Sequence, residues 1–113
     1  MIIITEFQST VDPWMCVRVL AYIVLLWLDL IQKKIISPET GSPPVFPIIL
    51  YTGEENWNAP VDISKLFSPD AKLIEKYLPS FKCLLVKEKD LSDALLLENK
   101  NFFTLFERLK RAT

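Results

Sequence analysis

The sequence predicts an α/β domain with a mostly parallel or mixed sheet, and three observations carry that reading. Two short runs rich in β-branched and aromatic residues, 2–8 and 45–51, are bounded by turn-forming residues. Between them, Trp14 to about Lys34 is strongly apolar and contains neither proline nor glycine, which makes it too long for a strand and suited to a helix. The order strand, helix, strand is the beginning of a layered α/β fold. With 113 residues the chain has room for one domain, 1–113, and a single modest core.

Each element follows from local chemistry. In strand 2–8, period-2 alternation puts Ile2, Ile4, Glu6 and Gln8 on one face and Ile3, Thr5 and Phe7 on the other. Ser9 to Pro13 reads as a helix entry, with Asp12 at the N-cap and Pro13 at the first helical position. The helix that follows ends in Lys33-Lys34, cations suited to a helix C-terminus. Its uninterrupted apolar run, Val19 to Leu28, is closed off by Arg18 and Asp29. A bilayer core needs about twenty apolar residues, so the expectation is a buried central helix, covered on most sides, and no membrane partner. Ser37 to Pro47 is a proline-punctuated loop, Val45 to Tyr51 the second strand and Thr52 to Glu55 a turn. Asn58 to Leu66 reads as irregular, and Ser68-Pro69-Asp70 opens a short helix to about Tyr77. Ser80 to Lys87 reads as a third strand, and Asp90–Leu97 and Asn101–Arg111 as two helices, the second carrying Phe102, Leu105 and Leu109 at helical spacing.

Composition removes whole classes of chemistry. There is no histidine, which excludes Ser-His-Asp and Cys-His catalysis and every His-containing zinc site. Two glycines, Gly41 and Gly53, cannot form a phosphate-wrapping loop. Cys16 and Cys83 stand too far apart in sequence for a CxxC motif, and two cysteines do not make a disulfide scaffold, so a reducing, cytoplasmic setting is expected. With a net charge of −1, any nucleic-acid contact must come from a local patch. Charge is also uneven: 17 of the 27 charged residues fall at or after Lys65, leaving the N-terminal third as interior-type sequence. What remains is carboxylate-and-metal chemistry, a binding module or a structural piece.

The most informative candidate is Glu6-Phe7-Gln8. A carboxylate and an amide two residues apart on a strand share a face, about 7 Å apart at their Cα atoms. That is either half of a site for an oxygen-loving cation such as Mg²⁺, with the amide placing a water, or a pair of solvated edge residues. Arg18 and Tyr22 lie one turn apart on one helix face. They are either part of the same site or a stem-packed cation beside a core tyrosine.

The run Glu6-Phe7-Gln8-Ser9, followed by Met15-Cys16-Val17-Arg18-Val19-Leu20-Ala21-Tyr22, resembles the Rpn-type recombination-promoting nuclease/putative transposase family of the PD-(D/E)XK nuclease superfamily. Pro43-Pro44-Val45-Phe46-Pro47-Ile48-Ile49-Leu50-Tyr51-Thr52-Gly53 resembles the family's proline-flanked strand and turn, and Trp57-Asn58-Ala59-Pro60 and Tyr77-Leu78-Pro79-Ser80-Phe81 continue the pattern over nearly the whole chain. The resemblance implies a restriction-endonuclease-like core, a mixed sheet with flanking helices, and Mg²⁺-dependent endonucleolytic cleavage of DNA in recombination by mobile elements. It makes Glu6 the metal-binding acid, with the Phe7 carbonyl as a further ligand, and puts Gln8 where the superfamily more often has lysine. It sets Arg18 and Tyr22 beside the site.

The superfamily also uses an aspartate on the strand before this one, in a hairpin that follows an N-terminal helix. Only Met1 to Thr5 precede Glu6 and none is acidic, so the expectation is an N-terminally truncated nuclease-like core lacking that helix, that hairpin and one metal ligand. Such a chain is either a DNA endonuclease with an incomplete site or a non-catalytic partner, of DNA, of a second copy or of a full-length relative. Arg18 is expected to pair with Glu6, since Asp29 lies about 16 Å along the helix. Trp57 is either a contact residue or a loop anchor, and Arg108, Lys110 and Arg111 either touch phosphates or serve a helix end.

Overall fold

The computed structural model describes residues 1–90. Three strands, β1 (Ile2–Gln8), β2 (Val45–Tyr51) and β3 (Leu84–Lys87), form a sheet of order β1-β2-β3, and one long helix, α1 (Met15–Gln32), connects β1 to β2. Every strand pair is parallel. The α/β class is therefore as expected, and within the described residues the sheet is parallel rather than mixed. Two 3₁₀ segments, Ile63–Leu66 and Pro69–Tyr77, lie between β2 and β3. The expected helices at Asp90–Leu97 and Asn101–Arg111 lie outside the described residues, though Glu88 to Asp90 are already helical.

The register sets Glu6 beside Ile49 and Ile49 beside Leu85. Aligned partners in a parallel sheet share a face, so Ile4, Glu6, Gln8, Ile49, Tyr51 and Leu85 all look toward α1. The core forms there: Met15, Cys16, Val19 and Ile23 of α1 meet Ile49, Ile63 and Cys83. On the opposite face Ile48 and Val86 are buried, whereas Ile3 and Phe7 of β1 are exposed. β1 pairs with β2 alone and is a sheet edge among the described residues.

α1 corrects the sequence reading in two respects. It starts at Met15 with Trp14 at the cap position, and the Asp12 carboxylate accepts the Trp14 N–H (2.9 Å) ahead of the first regular turn. It is also far from covered on most sides: 22% of its residues are buried, and Val17, Leu25, Leu28 and Ile31 face outward. By length and composition alone it could cross a membrane, but its buried face is sealed against the sheet. The helix closes at Lys34, which adopts φ 59°, with Ile35 N–H donating to the Leu30 carbonyl and Lys34 N–H to the Ile31 carbonyl. That is a Schellman ending with lysine where glycine is usual. β3 is shorter than Ser80–Lys87 because Lys82 instead makes a lone antiparallel bridge to Asp62.

Candidate functional site

Parallel strands finish at one edge, and open α/β sheets bind ligands outside the carboxyl ends of their strands. Here Gln8, Tyr51 and Lys87 align across that edge. The turn after β2 and the residues after β3 line a cleft of about 370 Å³ there, bounded by Tyr51, Gly53, Glu54, Glu55, Lys87 and Glu88 among others. Thr52 ties the ends of β1 and β2 together, donating its N–H (2.8 Å) and its hydroxyl (3.3 Å) to the Gln8 carbonyl.

Gly53 is required by space. A Cβ at this position would lie 2.5 Å from the Ser9 carbonyl oxygen and 2.5 Å from Tyr51 Cε1, well inside van der Waals contact. Tyr51 is itself buried, and its ring meets Trp57 edge-on with centroids 5.1 Å apart. Trp57 donates its indole N–H to the Ala59 carbonyl (2.9 Å) and is half-buried against the core, which settles it as a loop anchor.

Glu6 and Gln8 are both half-buried on the α1 face of β1, in its carboxyl-terminal half. Because the backbone groups of Ile2 and Gln8 bond toward β2, alternation turns the Phe7 N–H and carbonyl to the open edge. The structure thus brings Glu6 and Gln8 together on one face, with the Phe7 carbonyl available beside them. Among the described residues, no group of three or more Asp, Glu or Cys side chains comes together as a metal cluster. One carboxylate and one carbonyl are two of the six oxygens Mg²⁺ takes, so Glu6 and Phe7 would hold the ion only together with waters and further oxygens such as a substrate phosphate.

Arg18 departs from the expectation. Its Nε donates to Asp12 Oδ2 at 2.6 Å, and its side chain is 56% exposed. Glu6 is not its partner, and Asp29 pairs with Lys33 one turn on (3.0 Å). The entry to α1 folds Asp12 over the first turn, and this nearby carboxylate captures the guanidinium. The Trp14 N–H and then Arg18 hold the Asp12 carboxyl below the usual range. Tyr22, one turn beyond Arg18, is also exposed, so the two share a solvent-facing flank of α1. Nothing in the residue spacing pointed to the Asp12 partner, because it depends on how the entry loop curls.

Sequence reading also missed the union of the chain's two cysteines. Cys16 on α1 and Cys83 just before β3 are free, buried and members of one core cluster, and the Cys16 thiol donates to the Val61 carbonyl at 3.6 Å. Burial raises both thiols, that of Cys83 to about 12. Neither is a nucleophile at neutral pH.

Residues 1–112 match a family model described as "Putative transposase, YhgA-like". No curated protein and no solved structure matches the chain.

Proposed function

The chain belongs to the family of YhgA-like putative transposases, and from that premise we propose that it acts on DNA as part of a recombination-promoting, PD-(D/E)XK-type endonuclease. The observation that carries this reading is the placement of Glu6 and Gln8: one face, one edge strand, at the carboxyl end of a parallel sheet, leading directly into α1. In that role Glu6 supplies one carboxylate, and the Phe7 carbonyl at the open edge a second oxygen, for a Mg²⁺ ion that would neutralise phosphate charge. Gln8 adds a neutral amide, able to orient a water but not to stabilise a developing anion as lysine would. In this reading the exposed Arg18, paired with Asp12 through Nε, would meet a phosphate, with the Tyr22 hydroxyl one turn away. The second acid of a working site would come from outside the described residues. Two reduced, buried thiols fit a cytoplasmic setting.

The lone carboxylate favours a second reading, a non-catalytic DNA-binding or protein-binding partner. Anisotropy of a labelled DNA duplex, with and without Mg²⁺, separates the two. The endonuclease reading expects Mg²⁺ to strengthen binding and Glu6→Ala to remove that gain, while the chain alone leaves supercoiled plasmid intact. Binding that ignores both Mg²⁺ and Glu6→Ala supports the non-catalytic reading. Nicking that survives Glu6→Ala overturns the assignment of Glu6.

A further inference from the structure

Among the described residues, helix α1 carries a second apolar face that stays exposed. Its first face, Met15, Cys16, Val19 and Ile23, is sealed in the core. Trp14, Val17, Val24, Leu28 and Ile31 are exposed, from 40% at Val24 to 56% at Leu28, and Ala21 lies exposed among them. These six positions follow one another alternately three and four residues apart. At 100° per residue they centre on the side of the helix opposite the core. A helix that only packs on a sheet needs one apolar stripe. An unbroken three-four alternation on the far side is the seam of a helix that packs lengthwise on another helix.

We propose that this seam pairs antiparallel with the α1 of a second copy of the chain. The occupant and its direction follow from self-complementarity. A parallel pair would set Lys33 and Lys34 of one copy beside the same two cations of the other. An antiparallel pair matches Trp14 with Ile31, Val17 with Leu28 and Ala21 with Val24, each contact made twice about a two-fold axis. It also keeps the Lys33-Lys34 ends of the two helices apart, and it opposes the helix dipoles. The smallest seam residue, Ala21, then falls at the centre, where the backbones approach most closely. The seam runs for about 26 Å. A bilayer is the rival occupant, but a helix whose other face is fixed to a sheet cannot be surrounded by lipid.

Sedimentation equilibrium of the full chain tests this. The expected result is a dimer, with Leu28→Lys weakening it roughly tenfold or more while circular dichroism keeps its helix content. Direction is read by mild oxidation of engineered cysteines, since Cys16 and Cys83 are buried. A mixture of Ala21→Cys and Val24→Cys chains should cross-link between copies, and Ala21→Cys alone should cross-link far less. A monomer at every soluble concentration, or a dimer indifferent to Leu28→Lys, overturns the proposal. Equal cross-linking by Ala21→Cys alone overturns the antiparallel direction. A monomer that floats with phosphatidylcholine vesicles assigns the face to lipid instead.

Discussion

Gly53→Ala isolates what holds the sheet edge together. Ordinarily such a change stabilises a protein by about 0.4–1 kcal/mol, because alanine narrows the unfolded ensemble, provided the native backbone accepts it. The φ of Gly53 is outside the left-handed region, so the backbone accepts it here. The obstacle is steric: the new methyl would lie 2.5 Å from both the Ser9 carbonyl oxygen and Tyr51 Cε1, against an ordinary contact of about 3.5 Å. Neither neighbour gives way easily. Ser9 follows directly on Gln8, whose carbonyl is held by Thr52 at 2.8 Å, and Tyr51 is 3% exposed. Relief therefore means parting the ends of β1 and β2, an overpacking cost of about 1–3 kcal/mol. After the entropic gain, the net loss is about 1–2 kcal/mol, or roughly 4–8 °C in Tm for a domain of this size. Urea unfolding read by tryptophan fluorescence measures it, with an unchanged m-value showing that only stability moved. A variant as stable as wild type, or more so, refutes the steric account and the geometry of the edge with it.

Lys34→Gly should stabilise the chain by about 0.5–1 kcal/mol in the same assay, because φ 59° strains lysine and suits glycine. Arg18→Ala should cost less than about 1 kcal/mol, since its pair with Asp12 is exposed; a loss near 3 kcal/mol in thermal melts would mean a buried partner after all. Cys83 gives a pH signature. Its thiol sits near 12 in the folded chain against about 8.5 when unfolded, so the neutral form favours folding. That stability is complete below about pH 8.5 and is lost as pH rises toward 12, because the unfolded chain ionises first. Cys83→Ala should flatten this alkaline limb of a pH–stability curve; an identical limb in both proteins refutes it.

The sequence made β1 and β2 legible to the residue, because β-branched runs between proline, glycine and polar turns leave little freedom at either end. The pairing of Glu6 with Gln8 on a common face was equally legible, being a matter of period two. What failed depended on side chains choosing among neighbours brought together by loops. Asp12 has the residue type and position of an N-cap, yet its carboxylate serves Trp14 and Arg18 and the helix begins later. The hydrophobicity of α1 predicts burial, yet composition reports only that apolar surface needs a cover and not which residues supply it. Ser68-Pro69-Asp70 predicts a short helix to about Tyr77, and the structure has a 3₁₀ segment over Pro69–Tyr77. Its backbone breaks at Ile74 (φ −128°, ψ 27°) and stays 3₁₀, with no residue in it buried, so no packing rewards a longer helix.

Backbone alternation along β1 decides whether the Phe7 carbonyl can serve a ligand, and proline substitution reads that alternation directly. Ile2, Ile4, Glu6 and Gln8 turn their backbone groups to β2, while Ile3, Thr5 and Phe7 turn theirs to the open edge. Proline removes an N–H, which is tolerated at a sheet edge when that N–H faces outward and is costly when it belongs to the ladder. Thr5→Pro should therefore cost only the adjustment of φ, about 1 kcal/mol. Glu6→Pro should cost about 3 kcal/mol or more, through the lost ladder bond to β2. The two residues are adjacent and both half-buried, so side-chain burial does little to separate them. Urea unfolding of the pair, with Glu6→Ala as the control for the lost carboxylate, isolates the backbone contribution. Equal costs at both positions would mean that the outer edge of β1 is already hydrogen-bonded. The Phe7 carbonyl would then be occupied, and Glu6 would have to hold any cation without it.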